Sequence, residues 1–224
     1  MGDWQNIAVV GEPLAYGIGF LVLVAVAFTG GVADSIVAVA HEGGHMLVAL
    51  LSGRGVTSFE LTEGNQTTNG GTGYTGIRDG GVSEIFITFA GYATPPLAGL
   101  GGAYVVADGN AWGVLIIGIV LLLAALLIPK VNPLALAVTG LLLAGIIWAL
   151  IAGGTGIQAA LAVGLVWLLL IGGLYSVVTH NIGAQDARDL SKEFWIPRLV
   201  SFAGWLAIAV LSLWIGGRVL LGYT

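Results

Sequence analysis

The sequence predicts an all-α polytopic membrane protein, with about seven transmembrane helices and a small β-hairpin at the cytoplasmic membrane surface. Three observations predict it. The 224 residues are 57% hydrophobic and 8% charged, with a mean hydropathy of +0.98, which excludes an ordinary soluble domain. The apolar residues gather into seven stretches, each near the ~20 residues that a spanning helix requires. The longest polar connector, 53–81, alternates as strands do rather than with the helical period. No internal repeat and no Pro-rich or Ser-rich linker interrupts the chain, so 1–224 reads as a single membrane-embedded domain.

The segments follow in order. Segment one is 14–31. The residues before it lack the basic n-region of a signal peptide, so it reads as a retained helix despite the small-residue run Gly31-Val32-Ala33. Segment two is 34–52, with Asp34 or Ser35 to cap its start and Gly53 to end it. In the connector, 56–62 alternates as a strand. Asn65, Gly70, Gly71 and Gly73 mark turns, and 72–77 reads as the returning strand. Such a hairpin offers an edge to which an extended peptide can add as a further strand. Segment three, 82–106, contains Pro95 and Pro96, each of which removes a backbone donor and kinks a helix. A broken helix is tolerated in a bilayer where protein or a wet cavity satisfies the freed groups, as beside an active site. Segments four (111–129), five (133–151) and six (157–178) are packing or lipid-facing helices; 131–185 holds no Asp, Glu, Lys or Arg. Trp112, Trp148 and Trp195 fall near segment ends, where indoles anchor at the interface. Polarity returns at 179–193, before segment seven, 196–221.

Charge orients the chain. If all seven segments span, Arg54, Arg78, Lys130, Arg188, Lys192 and Arg198 share the side of the N-terminus, and Arg218 alone lies opposite. Basic residues favour the cytoplasmic side, so the N-terminus is expected there. With net charge −5 and seven Lys+Arg, no basic patch exists for nucleic acid. The absence of cysteine excludes disulfides and thiolate metal ligation.

The chemistry lies in segment two. His41-Glu42-Gly43-Gly44-His45 has the spacing H-E-x-x-H. Four residues are one helical turn, so both imidazoles leave one face and can grip one metal ion, with Glu42 beside a metal-bound water. Ionisable groups at this depth are costly and point to function. Gly43 and Gly44 each weaken a helix by about 1 kcal/mol but admit a close neighbour, a packed helix or a substrate. Histidine and carboxylate ligands suit one Zn2+ in an open, catalytic site with three protein ligands. The third ligand is expected from 179–193. Asp186 is the first choice and His180 the alternative, with Asp189 and Glu193 behind them on a charged surface helix. Asp34 lies two turns from His41, ~10 Å along the axis, too far to share an ion.

The stretch around the motif, 40–49, with the glycine-bearing turn after it, resembles the site-2 protease family of intramembrane zinc metalloproteases. The likeness is greatest to its compact bacterial branch without a PDZ domain. It extends to the strand-like stretch after the motif helix, to 90–95 and to 186–190. The resemblance implies His41, His45 and Asp186 as zinc ligands, Glu42 as the base, and a bacterial plasma-membrane location. It also raises Asn181 as an oxyanion donor. Asn181 precedes Asp186, but the proline and following glycine that frame the ligand in better-known members are absent.

The function expected is hydrolysis of peptide bonds in transmembrane protein substrates, within the lipid bilayer. The alternative is a catalytically idle relative serving as an assembly or stabilising subunit, with a partner in a membrane complex. A metal-ion transporter would need His or acidic pairs on several helices, and segments four to six have none.

Overall fold

The computed structural model describes residues 11–28, 30–61, 73–77 and 83–223, except the side chains of 30–32 and 181. Helix α1 is Pro13–Phe28 and α2 is Gly30–Leu51. Strands β1 (Val56–Leu61) and β2 (Gly73–Ile77) follow. Then come α3 (Ser83–Ala107), α4 (Ala111–Leu126), α5 (Pro133–Ile151) and α6 (Thr155–His180). A 3-10 turn, Asn181–Gly183, leads to α7 (Gln185–Phe194) and α8 (Arg198–Leu220). All seven apolar segments are therefore helices, close to the expected bounds. The turn residues Asn65, Gly70 and Gly71, with Thr72 and Arg78, lie outside the described residues.

Length and apolarity single out fewer than seven of these helices as crossings. By length and apolarity, α5, α6 and α8 can cross a membrane. Pro13–Phe28 with Ala33–Leu51, a pair bent by 97°, would make a fourth span. The reasons are physical. Helices α1 and α4 have 16 residues each and reach only ~24 Å at 1.5 Å per residue, short of a ~30 Å hydrocarbon core. Helix α3 is long enough, but its Glu84, Thr88, Thr94 and paired prolines dilute its apolar run. The expected orientation depended on the full count and carries no independent support from the fold.

Helix α3 lies at the centre, packed on α2, α6 and α8. Small residues let the backbones approach, as is needed where lipid supplies no hydrophobic drive between helices. A Cβ on Gly173 would lie 2.9 Å from the Pro96 ring, so α6 meets α3 at its prolines. The helix runs on through Pro95 and Pro96, which leaves the carbonyls of Gly91 and Tyr92 without their usual partners four residues on. Buried Trp205 of α8 donates its indole N–H to the Phe89 carbonyl of α3 at 2.9 Å. Trp167 of α6 does the same to Ala15 of α1 at 3.0 Å. Trp112, Trp148 and Trp195 are exposed near helix ends, as interfacial residues would be.

The hairpin is antiparallel, with Phe59 opposite Thr75 and Leu61 opposite Gly73. Its outer edge on the β1 side is filled. Phe59 N–H donates to the Lys130 carbonyl at 2.7 Å, and Asn132 N–H donates to the Phe59 carbonyl at 3.2 Å. The Asn132 side chain extends this ladder: its amide donates to the Leu61 carbonyl at 2.7 Å. Its oxygen accepts from the Leu61 N–H at 3.2 Å and from the Ala135 N–H at 2.8 Å, which also caps α5. Arg54 and Glu84, 3.6 Å apart, bring the two ends of the connector together. Helix α7 is amphipathic: Ala187 and Leu190 are buried, Arg188 and Asp189 are half-buried, and Lys192 is exposed.

Because Asn132 serves two strands and one helix, Asn132→Ala removes a cap and leaves both polar groups of Leu61 unpaired. It is expected to lower stability by about 1–3 kcal/mol, measured as the shift of the denaturation midpoint in detergent micelles.

Candidate metal centre

The motif residues lie on the buried face of α2, where helical geometry stacks His41 and His45 one turn apart. Their Nε2 atoms are 3.2 Å apart, and the rings meet edge to face with centroids 4.9 Å apart. His45 Nδ1 lies 2.7 Å from the Ile87 carbonyl of α3. A carbonyl only accepts, so Nδ1 carries the hydrogen and the Nε2 lone pair of the neutral ring is left for a ligand.

Helix α7 delivers the third donor. Asp186 Oδ2 lies 3.3 Å from His41 Nε2 and 3.5 Å from His45 Nε2. That oxygen is buried and has no hydrogen-bond partner. Burial works against the charged carboxylate, but the His45 and His41 imidazoles, when protonated, more than offset this and hold its pKa well below the ordinary value; in their neutral forms they offer lone pairs instead. Three electron-pair donors therefore converge at 3.2, 3.3 and 3.5 Å. Tetrahedral zinc with bonds of about 2.0–2.1 Å separates its ligands by about 3.3–3.4 Å. The donor set fits that ion in both chemistry and spacing.

Glu42, 3% exposed, also lies with His41 and His45 in a group whose donor atoms fall within 4.8 Å of one another. Asp186 is nearer to both nitrogens, and one Glu42 oxygen is already engaged. Glu42 Oε2 accepts from the Thr75 hydroxyl of β2 at 2.6 Å. A Cβ on Gly73 would sit 2.6 Å from the other carboxylate oxygen, so only glycine lets β2 come this close. Asp186 thus fits a ligand, and Glu42 a carboxylate held beside the ion.

The remaining residues named from the sequence divide. His180 stands apart from this group, with its Nδ1 2.9 Å from the Ser176 carbonyl, but it lines the same small cavity as His41, Glu42, Gly73 and Tyr92. The Asn181 side chain lies outside the described residues. Asp189 accepts from Gln185 at 2.6 Å on the outer part of α7, and Glu193 is exposed. Tyr92 and Gly91 were not singled out by residue chemistry. Tyr92 packs edge-on against His41, with centroids 4.5 Å apart. Their signal was the proline segment, which placed α3 beside the site without saying which residues met it.

A family model described as Peptidase M50B-like matches residues 14–216. The chain belongs to this family, the site-2 protease family. No curated protein and no solved structure matches it. Membership makes the chain a membrane metalloprotease at the level of the family, which is zinc-dependent. The matched span contains every residue of the donor cluster and both helices that deliver it.

Gly91 supplies a test of the packing at this M50B-like centre. A Cβ there would lie 2.5 Å from His45 Nε2 and 2.6 Å from His41 Nε2. Gly91→Ala must push α3 or an imidazole aside. A loss of about 1–3 kcal/mol in unfolding free energy is expected, whereas Gly43→Ala, with nothing within 4 Å of its Cβ, is tolerated.

Proposed function

We propose that this chain is an intramembrane zinc metalloprotease that hydrolyses peptide bonds of membrane-spanning substrates. The observation that carries the reading is the approach of Asp186 to within 3.5 Å of both motif imidazoles, with Glu42 alongside. His41, His45 and Asp186 would hold the ion. When bound, zinc acidifies a water and polarises a carbonyl.

The chain's own residues supply the rest. Glu42 takes the proton of the attacking water and passes it to the departing amine nitrogen. Thr75 holds one carboxylate oxygen by its hydroxyl, leaving the other toward the cavity. His45 is kept in its ligating tautomer by the Ile87 carbonyl.

A helical substrate hides its carbonyls in its own hydrogen bonds, so it must be drawn out before it is cut. The hairpin can receive it. Since 130–132 fills the β1 side, the edge left for strand addition is that of β2, the strand that touches Glu42. An extended peptide paired there runs beside the base. Further elements of the reading are seven crossings, a single domain over 1–224, a cytoplasmic N-terminus in a bacterial plasma membrane, and water access from the cytoplasmic side. Reporter fusions at the N-terminus and after Arg218 test the orientation. They are expected to report cytoplasm and exterior, respectively.

Purified with zinc, the wild type is expected to cleave a transmembrane peptide. Glu42→Gln should retain one zinc per chain and lose cleavage by at least about three orders of magnitude. Asp186→Ala should lose most of its zinc by metal analysis. Undiminished zinc in Asp186→Ala would remove Asp186 from the ligand set. A zinc-loaded wild type that cuts nothing would favour the idle-subunit reading.

A further inference from the structure

An open groove of about 650 Å³ lies between α6 and α8, far larger than the space beside Glu42. Trp167 and Leu174 line it on α6, and Val210 and Leu213 on α8. Where Gly217 has no side chain, the Trp167 indole comes within 3.4 Å of the place a Cβ would take. From Val210 to Arg218 the groove follows ~12 Å of helix. Over that length a helix about 10–12 Å across would overfill it, whereas thin, flexible acyl chains enter. Its polar groups are gathered at one end, at Arg218 and Tyr223. Arg218 Nε donates to the Tyr223 carbonyl at 3.1 Å, and the guanidinium lies 5.9 Å from the centre of the Trp214 ring. Among the described residues no carboxylate pairs with Arg218, and its two terminal nitrogens have no hydrogen bond. The Tyr223 hydroxyl lies 3.3 Å from that of Tyr16 of α1, which donates to the Leu221 carbonyl at 3.1 Å. Tyrosine and tryptophan gather in this way at the headgroup level of a bilayer. Helix α8 is long and apolar enough to cross. Arg218 stands twenty residues beyond Arg198, ~30 Å along the axis, at the membrane face away from α7 and Asp186.

We propose that this groove binds one anionic phospholipid from the leaflet opposite α7, with its phosphate on the terminal nitrogens of Arg218 and an acyl chain between α6 and α8. In a bilayer any apolar groove fills with hydrocarbon, and that alone selects no lipid. The selection comes from the guanidinium. It is charged at every relevant pH, and its planar fork matches two phosphate oxygens. The Tyr223 carbonyl and the Trp214 ring already hold the side chain, so little freedom is lost when a phosphate arrives. A zwitterionic phospholipid offers the same phosphate, but its own ammonium group offsets the charge that Arg218 would neutralise. A basic residue at the end of a groove between membrane helices is the chemistry by which such pockets take anionic headgroups. The site is remote from the metal centre, and the inference does not depend on hydrolysis.

The test uses the full chain in detergent micelles, titrated with phosphatidylglycerol or with phosphatidylcholine of the same acyl chains and read by native mass spectrometry. The wild type is expected to hold one phosphatidylglycerol per chain, about tenfold more tightly than phosphatidylcholine. Arg218→Gln should lose that preference, and Arg218→Lys, a point charge without the fork, should keep only part of it. Val210→Trp, which fills the groove, should weaken both lipids by about tenfold or more. In a second measurement a benzophenone side chain replaces Val210, and the chain is irradiated in vesicles holding the two lipids in equal amounts. Adducts with phosphatidylglycerol should predominate. Equal retention of the two lipids by the wild type, or an undiminished preference in Arg218→Gln, would overturn the proposal. So would a cross-link to a second copy of the chain, or to another protein, in place of the lipid adduct. The wild-type comparison and the cross-link decide the matter whether or not Arg218→Gln folds.

Discussion

Three donor atoms, two imidazole nitrogens and one carboxylate oxygen, meet within 3.5 Å inside an apolar bundle. Left to themselves they would be expensive: a carboxylate taken from water needs a compensating charge or hydrogen bonds, and Asp186 Oδ2 has no hydrogen bond. The surrounding structure is arranged to bring these atoms together. Helix α2 supplies two of them by its own period, α7 carries the third across from the far end of the chain, and α3 forms the floor. Gly91 lets that floor rise against the rings, and the Ile87 carbonyl fixes one of them. The two imidazoles are the compensation this carboxylate has, and the same three atoms have the spacing of a zinc ligand set.

The second constraint is the hairpin. A two-stranded ribbon alone is marginal in water. This one is braced on the β1 side by 130–132, with the Asn132 side chain imitating a strand residue. It is braced from below where Thr75 meets Glu42. The bracing has a direction: it stiffens the strand next to the carboxylate and leaves the opposite edge of that strand to a guest. On the proposed reading, the base and the platform for an extended chain are one mechanical unit, joined at Thr75 and Glu42.

Much of this was legible in the residues. H-E-x-x-H on an apolar stretch located the centre because helical period and ligand chemistry coincide in five residues. Asp186 was legible as the first choice among several polar groups after segment six, with His180 as the alternative; the fold brings Asp186 within 3.5 Å of both imidazoles. Helix bounds followed from apolar runs and from Gly53 after the motif helix. What stayed hidden was tertiary. Nothing local tells that Asn132 both caps α5 and completes β1, or that Gly73 exists to admit a carboxylate. Of the seven expected crossings, three described helices qualify by length and apolarity alone and a bent pair makes a fourth. Sixteen-residue helices such as α1 and α4 are apolar enough for lipid but too short to traverse it upright.

The placement of Asp186 on a short amphipathic helix just before the last long one has a consequence for biogenesis. Chains fold from the N-terminal end as the ribosome extends them. The two histidines and the glutamate emerge early and are inserted early; the aspartate comes only when most of the bundle is already in place. A half-made chain therefore carries the motif without its completing ligand. On the proposed reading, the newborn protein stays harmless to its neighbours, and to itself, until α7 has been made.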